Sequence, residues 1–183
     1  MLSRALQLTG VLLLVGALPA APSQQECPRI RVTDPLLMRA LAEGEIRSPT
    51  FRALTDRIRR SNLIVHVVAH NRVNGSDGDL RFIVSAGGAR FLRIRIRSGL
   101  TRAATIALLA HELMHAVEIA DVPAVQSSVD LRSLYRRIGY GSRRRDGIEQ
   151  FDSAAAVAAG RDVYFELAGR VPATTPGKRV FGR

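Results

Sequence analysis

The stretch Thr101 to Ala120, TRAATIALLAHELMHAVEIA, constrains the rest of the chain most. It is the longest helix-patterned run beyond the N-terminus and carries His111, Glu112 and His115 as H-E-x-x-H. On a helix, side chains four residues apart project from one face about a turn from each other, so both imidazoles can reach one metal ion. Glu112, beside the first histidine, is placed to act on water at that ion. A core helix could carry the pattern by chance, but the chain has only four His and seven Glu. Shuffling such a composition gives the motif on the order of a few times in a thousand. A catalytic zinc site keeps one position for water, so two helical histidines need one more protein ligand from elsewhere.

The 183 residues, 46% of them hydrophobic, suffice for one domain with a real core. Residues 1–21 read as a signal peptide: Arg4 gives the basic start, Leu6 to Leu18 the apolar run, and Ala17, Ala20 and Ala21 the small residues for cleavage. Gly10, Gly16 and Pro19 interrupt a run already short for a bilayer, so no membrane span is expected after cleavage, with an uncleaved anchor as the alternative. Cys27 is the only cysteine and cannot form an internal disulfide, and SQQEC lacks the context of a lipoprotein site. The net charge of +11 rests on arginine, Lys178 being the only lysine. Such a charge favours anionic partners, although a solvated arginine-rich surface accounts for it equally.

Along the chain, Ile30 and Val32 alternate as a short strand. Asp34 and Pro35 open a helix with Leu36, Leu37, Ala40 and Leu41 as its stripe and Gly44 as its expected end. A second helix starts at Ser48-Pro49, with Phe51, Leu54 and Ile58 inward and Arg52, Arg57, Arg59 and Arg60 in solvent. Leu63 to His70 is a strand with His66 and His70 on one face. Four residues of strand span about 13 Å, so these two cannot share an ion; a structural or surface role is expected, substrate contact being the alternative. Asn71 to Asp79 is a turn-rich loop without the acidic alternation or closing Glu of a calcium loop.

Two strands, Leu80 to Ser85 and Ala89 to Arg97, flank Gly87-Gly88, and in the second Leu92, Ile94 and Ile96 alternate with Arg93, Arg95 and Arg97. A two-residue loop would set Phe82 against Arg93. Pairing Ser85 with Ala89 across three residues sets Phe82 beside Leu92 and Leu80 beside Ile94, and is the expected register. It leaves Arg81 opposite Arg93 on a face that is solvated or meets an anion. No aromatic residue interleaves with the arginine row, so nucleic acid is not an obligate partner. Thr101 caps the motif helix and Pro123 stops it. Val125 to Ile138 is expected as a helix, Gly139 to Gly147 as a loop and Phe151 to Ala168 as an alanine-rich helix. A single domain over 28–169 and a flexible basic tail over 170–183 complete the chain.

Around H-E-x-x-H, Leu108, Leu109, Ala110, Leu113, Met114, Ala116 and Val117 are uncharged and none is proline. Here the chain resembles the zincin metallopeptidases, as a small exported bacterial member, gluzincin-like or aspzincin-like rather than metzincin. The resemblance implies an α+β fold: a small twisted sheet containing antiparallel strands packs on the motif helix, its edge strand binds peptide, and further helices follow. It also implies zinc as cofactor, a peptide or protein substrate, and Glu112 as the general base that takes the proton of the activated water and passes it to the leaving amine.

The third ligand is implied less directly. Metzincins place theirs where Asp121 stands, but Glu118 replaces the glycine that makes the returning turn. Glu118 shares the histidine face and is better suited to hydrogen-bonding a histidine than to the ion. Gluzincin-like and aspzincin-like proteins take the ligand from a later helix, which favours Asp152, with Glu149 in reserve; an N-cap is the plain alternative for Asp152. The expected function is therefore an exported zinc metallopeptidase. The alternatives are a metal-binding zincin fold without turnover, or a secreted cationic protein holding polyanions weakly through Arg93, Arg95 and Arg97 or Arg143 to Arg145.

Overall fold

The computed structural model describes residues 28–71, 76–143 and 149–170. The leader, Cys27, Arg144, Arg145, the middle of the Asn71 to Asp79 loop and the tail beyond Arg170 lie outside the described residues.

Period-two alternation assembles one four-stranded mixed sheet. β1 (Ile30–Val32) and β4 (Ala89–Arg97) run parallel to β2 (Leu63–His70) on its two sides, and β3 (Gly78–Ala86) pairs antiparallel with β4 as an edge strand, in the order β1-β2-β4-β3. Val65, Val67, Leu92, Ile94 and Ile96 point to one face and are buried there. Helices cover that face: α1 (Pro35–Arg47), α2 (Pro49–Arg59), α3 (Arg102–Ala120) and α4 (Ser128–Ile138), while α5 (Ala154–Leu167) packs on α3, α2 and α1, with a small hairpin of β5 (Tyr140–Arg143) and β6 (Glu149–Asp152) between α4 and α5 in the chain. The class is α+β.

The central element is α3, which contributes Ile106, Leu109, Ala110, Leu113, Ala116, Val117 and Ile119 to the core. Each large aliphatic side chain buried this way stabilises by about 1.5–3 kcal/mol. By length and composition α3 could cross a bilayer, but half of that apolar stretch is packed inside the protein. Its C-terminal end is held from the sheet. Arg90, only 2% exposed, donates to the carbonyls of Ile119 (2.8 Å), Val122 (3.0 Å), Val125 and Ala120, and to Asn62 Oδ1. A cation thus satisfies helix-end carbonyls that have no intrahelical partner. On the opposite flank, Glu166 of α5 accepts from Ser48 Oγ, from the Thr50 amide (3.2 Å) and from Thr50 Oγ1 (2.6 Å), tying α5 to the start of α2.

Several boundaries follow the sequence reading. Asp34 Oδ1 accepts the Leu36 and Leu37 amides at 2.9 Å, and Ser48 and Thr101 cap α2 and α3. Others differ, each for a local reason. Gly44 does not end α1, which runs on to Arg47; a Cβ at Gly44 would lie 2.8 Å from the Phe51 ring, so glycine marks where α2 packs against α1. The β3–β4 turn has two residues, with Gly87 at φ 57° and Gly88 at φ 76°, and pairs Ala86, not Ser85, with Ala89. A bulge at Ile83 absorbs one residue, so Phe82 still pairs with Leu92, Leu80 with Ile94 and Arg81 with Arg93. α4 starts at Ser128 behind its cap Ser127, not at Val125. Part of the expected Gly139 to Gly147 loop is β5, and Glu149 to Asp152 forms β6, whose backbone pairs with β5; α5 therefore begins only at Ala154, behind Ser153.

Candidate metal centre

His111 and His115 project from the same side of α3, with ring centroids 4.9 Å apart and planes at 85°. Asp152, the last residue of β6, faces them. Its Oδ1 lies 3.4 Å from His111 Nε2 and 3.6 Å from His115 Nε2, and one ligand atom from each of the three residues falls within 4.8 Å of the others. Ligands at about 2.0–2.1 Å from a tetrahedral ion stand roughly 3.3 Å from each other, so the two histidine–aspartate separations fit a shared ion with little movement. His115 is buried, whereas His111 and Asp152 stay partly exposed, which leaves one side of the cluster accessible.

Small residues bring Asp152 there. α5 packs against α3 through Gly160, where a Cβ would stand 3.3 Å from His111 Cβ and 3.1 Å from the Ala107 carbonyl oxygen. Gly139, between α4 and β5, admits the backbone of β6: a Cβ there would lie 2.6 Å from the Asp152 carbonyl oxygen. The Ser153 amide donates to Asp152 Oδ1 at 2.7 Å and orients the carboxylate.

Behind the histidines, Glu118 is a hub. Its Oε2 is 2.9 Å from His115 Nδ1 and accepts from the Tyr135 hydroxyl at 2.8 Å, while its Oε1 accepts from Ser153 Oγ at 2.5 Å. The carboxylate on Nδ1 fixes which nitrogen of His115 faces Asp152, namely Nε2. The same carboxylate links α3 to α4 through Tyr135 and to the cap of α5 through Ser153, the residue next to Asp152.

The electrostatics follow from this arrangement. Burial, then the neighbouring His115, lowers the pKa of His111 and so favours the neutral imidazole that a metal ligand requires. For His115 burial acts in the same direction, but hydrogen bonds to Asp152 and Glu118 outweigh it and push the value up to about 9. Burial opposes ionisation of Asp152 and Glu118 too, yet the His115 partner holds both below the ordinary carboxylate range. For Glu112 burial is offset only in part by the attraction of His115, and it pushes the carboxyl up to about 8. Its Oε1 lies against the first residue of β3, since a Cβ on Gly78 would be 2.5 Å away.

Of the residues singled out in the sequence, His111, Glu112, His115, Glu118 and Asp152 converge. Asp152 is a strand end and Ser153 is the cap, so the N-cap alternative does not hold for Asp152. Asp121 does not join them: α3 continues unbroken through Glu118, and Asp121 ends on its far tip in an ion pair with Arg57 at 2.5 Å. Glu149 places its backbone in β6 opposite Arg143, and its side chain lies outside the described residues. Arg95 and Arg97 are engaged by Asp79 and Asp77, which leaves Arg93 alone of the expected arginine row without an ion pair among the described residues. His66 and His70 lie on the sheet face turned away from α3.

The sequence reading missed Tyr135 and Ser153. Tyr135 falls at an apolar position of the helix expected over Val125 to Ile138, where its hydroxyl, needing a partner once buried, is the available signal. Ser153 was signalled by its helix-capping residue type immediately after Asp152. No protein-family model matches the chain, and neither does any curated protein or solved structure.

Proposed function

We propose that the chain is a zinc-dependent peptidase of zincin type, exported by its apolar leader, with His111, His115 and Asp152 as metal ligands and Glu112 as general base. The observation that carries this is the convergence of two α3 imidazoles and the β6 carboxylate within 4.8 Å of one another, the carboxylate 3.4 and 3.6 Å from the two rings, beside a buried glutamate. Two imidazoles and one carboxylate form a donor set suited to zinc. Bound there, zinc would supply a Lewis acid for a scissile carbonyl and an acidified water.

The chain's own residues account for the rest. Glu118 and Tyr135 hold the His115 ring, and Ser153 holds both Asp152 and Glu118. Glu112, whose carboxyl burial pushes up to about 8, would be favoured as the carboxylate with a dication bound beside it, and would then accept a proton from water and deliver it to the departing amine. β3 is an edge strand whose first residue touches Glu112, so an extended peptide added to that edge would run past the general base. This supports peptide as substrate.

A peptide-library digest tests the reading. Zinc-loaded protein should cleave a subset of peptides and Glu112→Gln should cleave none while retaining metal. Metal retention without cleavage by the unaltered protein would leave a metal-binding protein and remove the peptidase.

A further inference from the structure

The sheet face turned away from α3 carries a second arrangement, independent of the metal centre. In the strand register Arg31 stands opposite His66, His66 opposite Arg93 and Arg93 opposite Arg81, so one row of basic side chains crosses β1, β2, β4 and β3. With neighbouring strands about 4.8 Å apart, the row spans roughly 14 Å. Beside it runs an apolar row, Ile64, Phe91 and Val84, widened by the bulge residue Ile83. Ile83 and Val84 are 46% and 47% exposed. Together His66, Val68, Ile83, Val84, Phe91 and Arg93 line an open hollow of about 560 Å³.

Like charges directly opposite each other across strands destabilise a sheet. This row persists with little internal compensation. Neither Arg31 nor Arg93 forms an ion pair among the described residues; the Arg31 Nε donates only to the Pro28 carbonyl, and Arg81 leans on Asp79 at 3.3 Å. Partial burial, then Arg31 and Arg93, depress the pKa of His66. An anion laid across the row would relieve all three.

We propose that this face docks an acidic polypeptide segment bearing apolar side chains, with carboxylates over Arg31, His66 and Arg93 and an apolar side chain in the hollow. A second copy of the chain would set the basic row against itself. Segments of this chain outside the described residues hold only Glu26 and Asp146 as acidic residues, too few to neutralise it. Nucleic acid would want several broad stacking surfaces, and Phe91 is the one Phe, Tyr or Trp lining the hollow. A bilayer engages protruding apolar groups, whereas here the apolar row lines a recess that receives side chains.

The test is the affinity of a fluorescein-labelled twelve-residue peptide alternating Glu and Leu, also measured in Glu112→Gln so that cleavage cannot mask binding. Arg31→Glu with Arg93→Glu should weaken binding at least roughly tenfold, since like-charge juxtaposition costs several kcal/mol and 1.4 kcal/mol is a factor of ten. Val84→Asp should weaken it similarly, and His111→Ala should leave it unchanged. Arg93→Gln, which keeps the side-chain length, should give a smaller loss in the same direction. No binding of the peptide, or equal binding by the charge-reversed variant with unchanged circular dichroism, overturns the proposal. It is equally overturned if phosphatidylglycerol vesicles or a DNA oligomer bind through Arg31 and Arg93 while the peptide does not.

Discussion

Asp152 Oδ1 stands 3.4 Å from His111 Nε2, although one residue ends a short strand and the other sits in the middle of α3. That separation is set by the β5–β6 hairpin, by the glycine contacts at Gly139 and Gly160, and by Ser153, which holds Asp152 through its amide and Glu118 through its hydroxyl.

Ser153→Ala removes the α5 cap and one of the hydrogen bonds on Glu118. Loss of such outer partners costs metal sites about 10–100-fold in affinity. Zinc competition against a chelator should show a drop of this size for Ser153→Ala and for Glu118→Ala. Tyr135→Phe should fall in the same direction by less, because Ser153 and His115 still hold the carboxylate. Unaltered zinc affinity in both alanine variants would show that the network does not position the ligands.

Glu112→Gln separates chemistry from binding. It should retain zinc and lower kcat by at least about 10²–10⁴-fold, the range for a lost general acid or base. Removing the ionisable group should also stabilise the metal-free protein at alkaline pH, which chemical denaturation can read independently of turnover.

The metal-free protein should lose stability as pH rises. Glu112 is raised from 4.5 to about 8 and His115 from 6.5 to about 9, so the folded state holds both protons more tightly than the unfolded chain. Their contribution is complete below the unfolded values and disappears as pH passes through the folded ones. Asp152 and Glu118, depressed in the fold, contribute in the opposite sense and lose their effect under acid. Thermal melts should therefore fall between pH 6 and pH 9 and recover when zinc displaces the His115 proton. A flat or rising melting temperature over that window contradicts the electrostatics described.

Arg90→Met takes the guanidinium from the carbonyls at and just beyond the end of α3: Ile119 and Val122 each keep a backbone N–H partner, while Ala120, Val125 and Asn62 Oδ1 lose the donor Arg90 supplies. Urea unfolding should show a loss of about 2–4 kcal/mol from buried acceptors that lose a charged donor. Arg90→Lys should recover only part of it, because one ammonium cannot span the carbonyls that the planar guanidinium reaches.

What the sequence made legible depended on how local its cause was. Asp34, Ser48 and Thr101 each determine their own helix start within a few residues, and Phe82 finds Leu92 because both are apolar on one face. The last helix was less legible: an alanine-rich run extends a helical pattern through Phe151, and only pairing with β5, set by the approach permitted at Gly139, turns Glu149 to Asp152 into a strand. Arg90 illustrates the same limit. It reads as one more basic residue of β4, yet its partners are carbonyls some thirty residues along the chain. Arg95 and Arg97 looked like part of an open basic row because the acids that hold them, Asp79 and Asp77, sit in what read as a turn-rich loop.

Metal analysis of the purified protein tests the central claim most directly. The account predicts one zinc per chain, lost in His111→Ala, strongly reduced in Asp152→Ala, and retained in Glu112→Gln and Asp121→Ala. Protein that takes up no zinc after dialysis against it, or that binds zinc equally well without His111 and Asp152, would contradict the account.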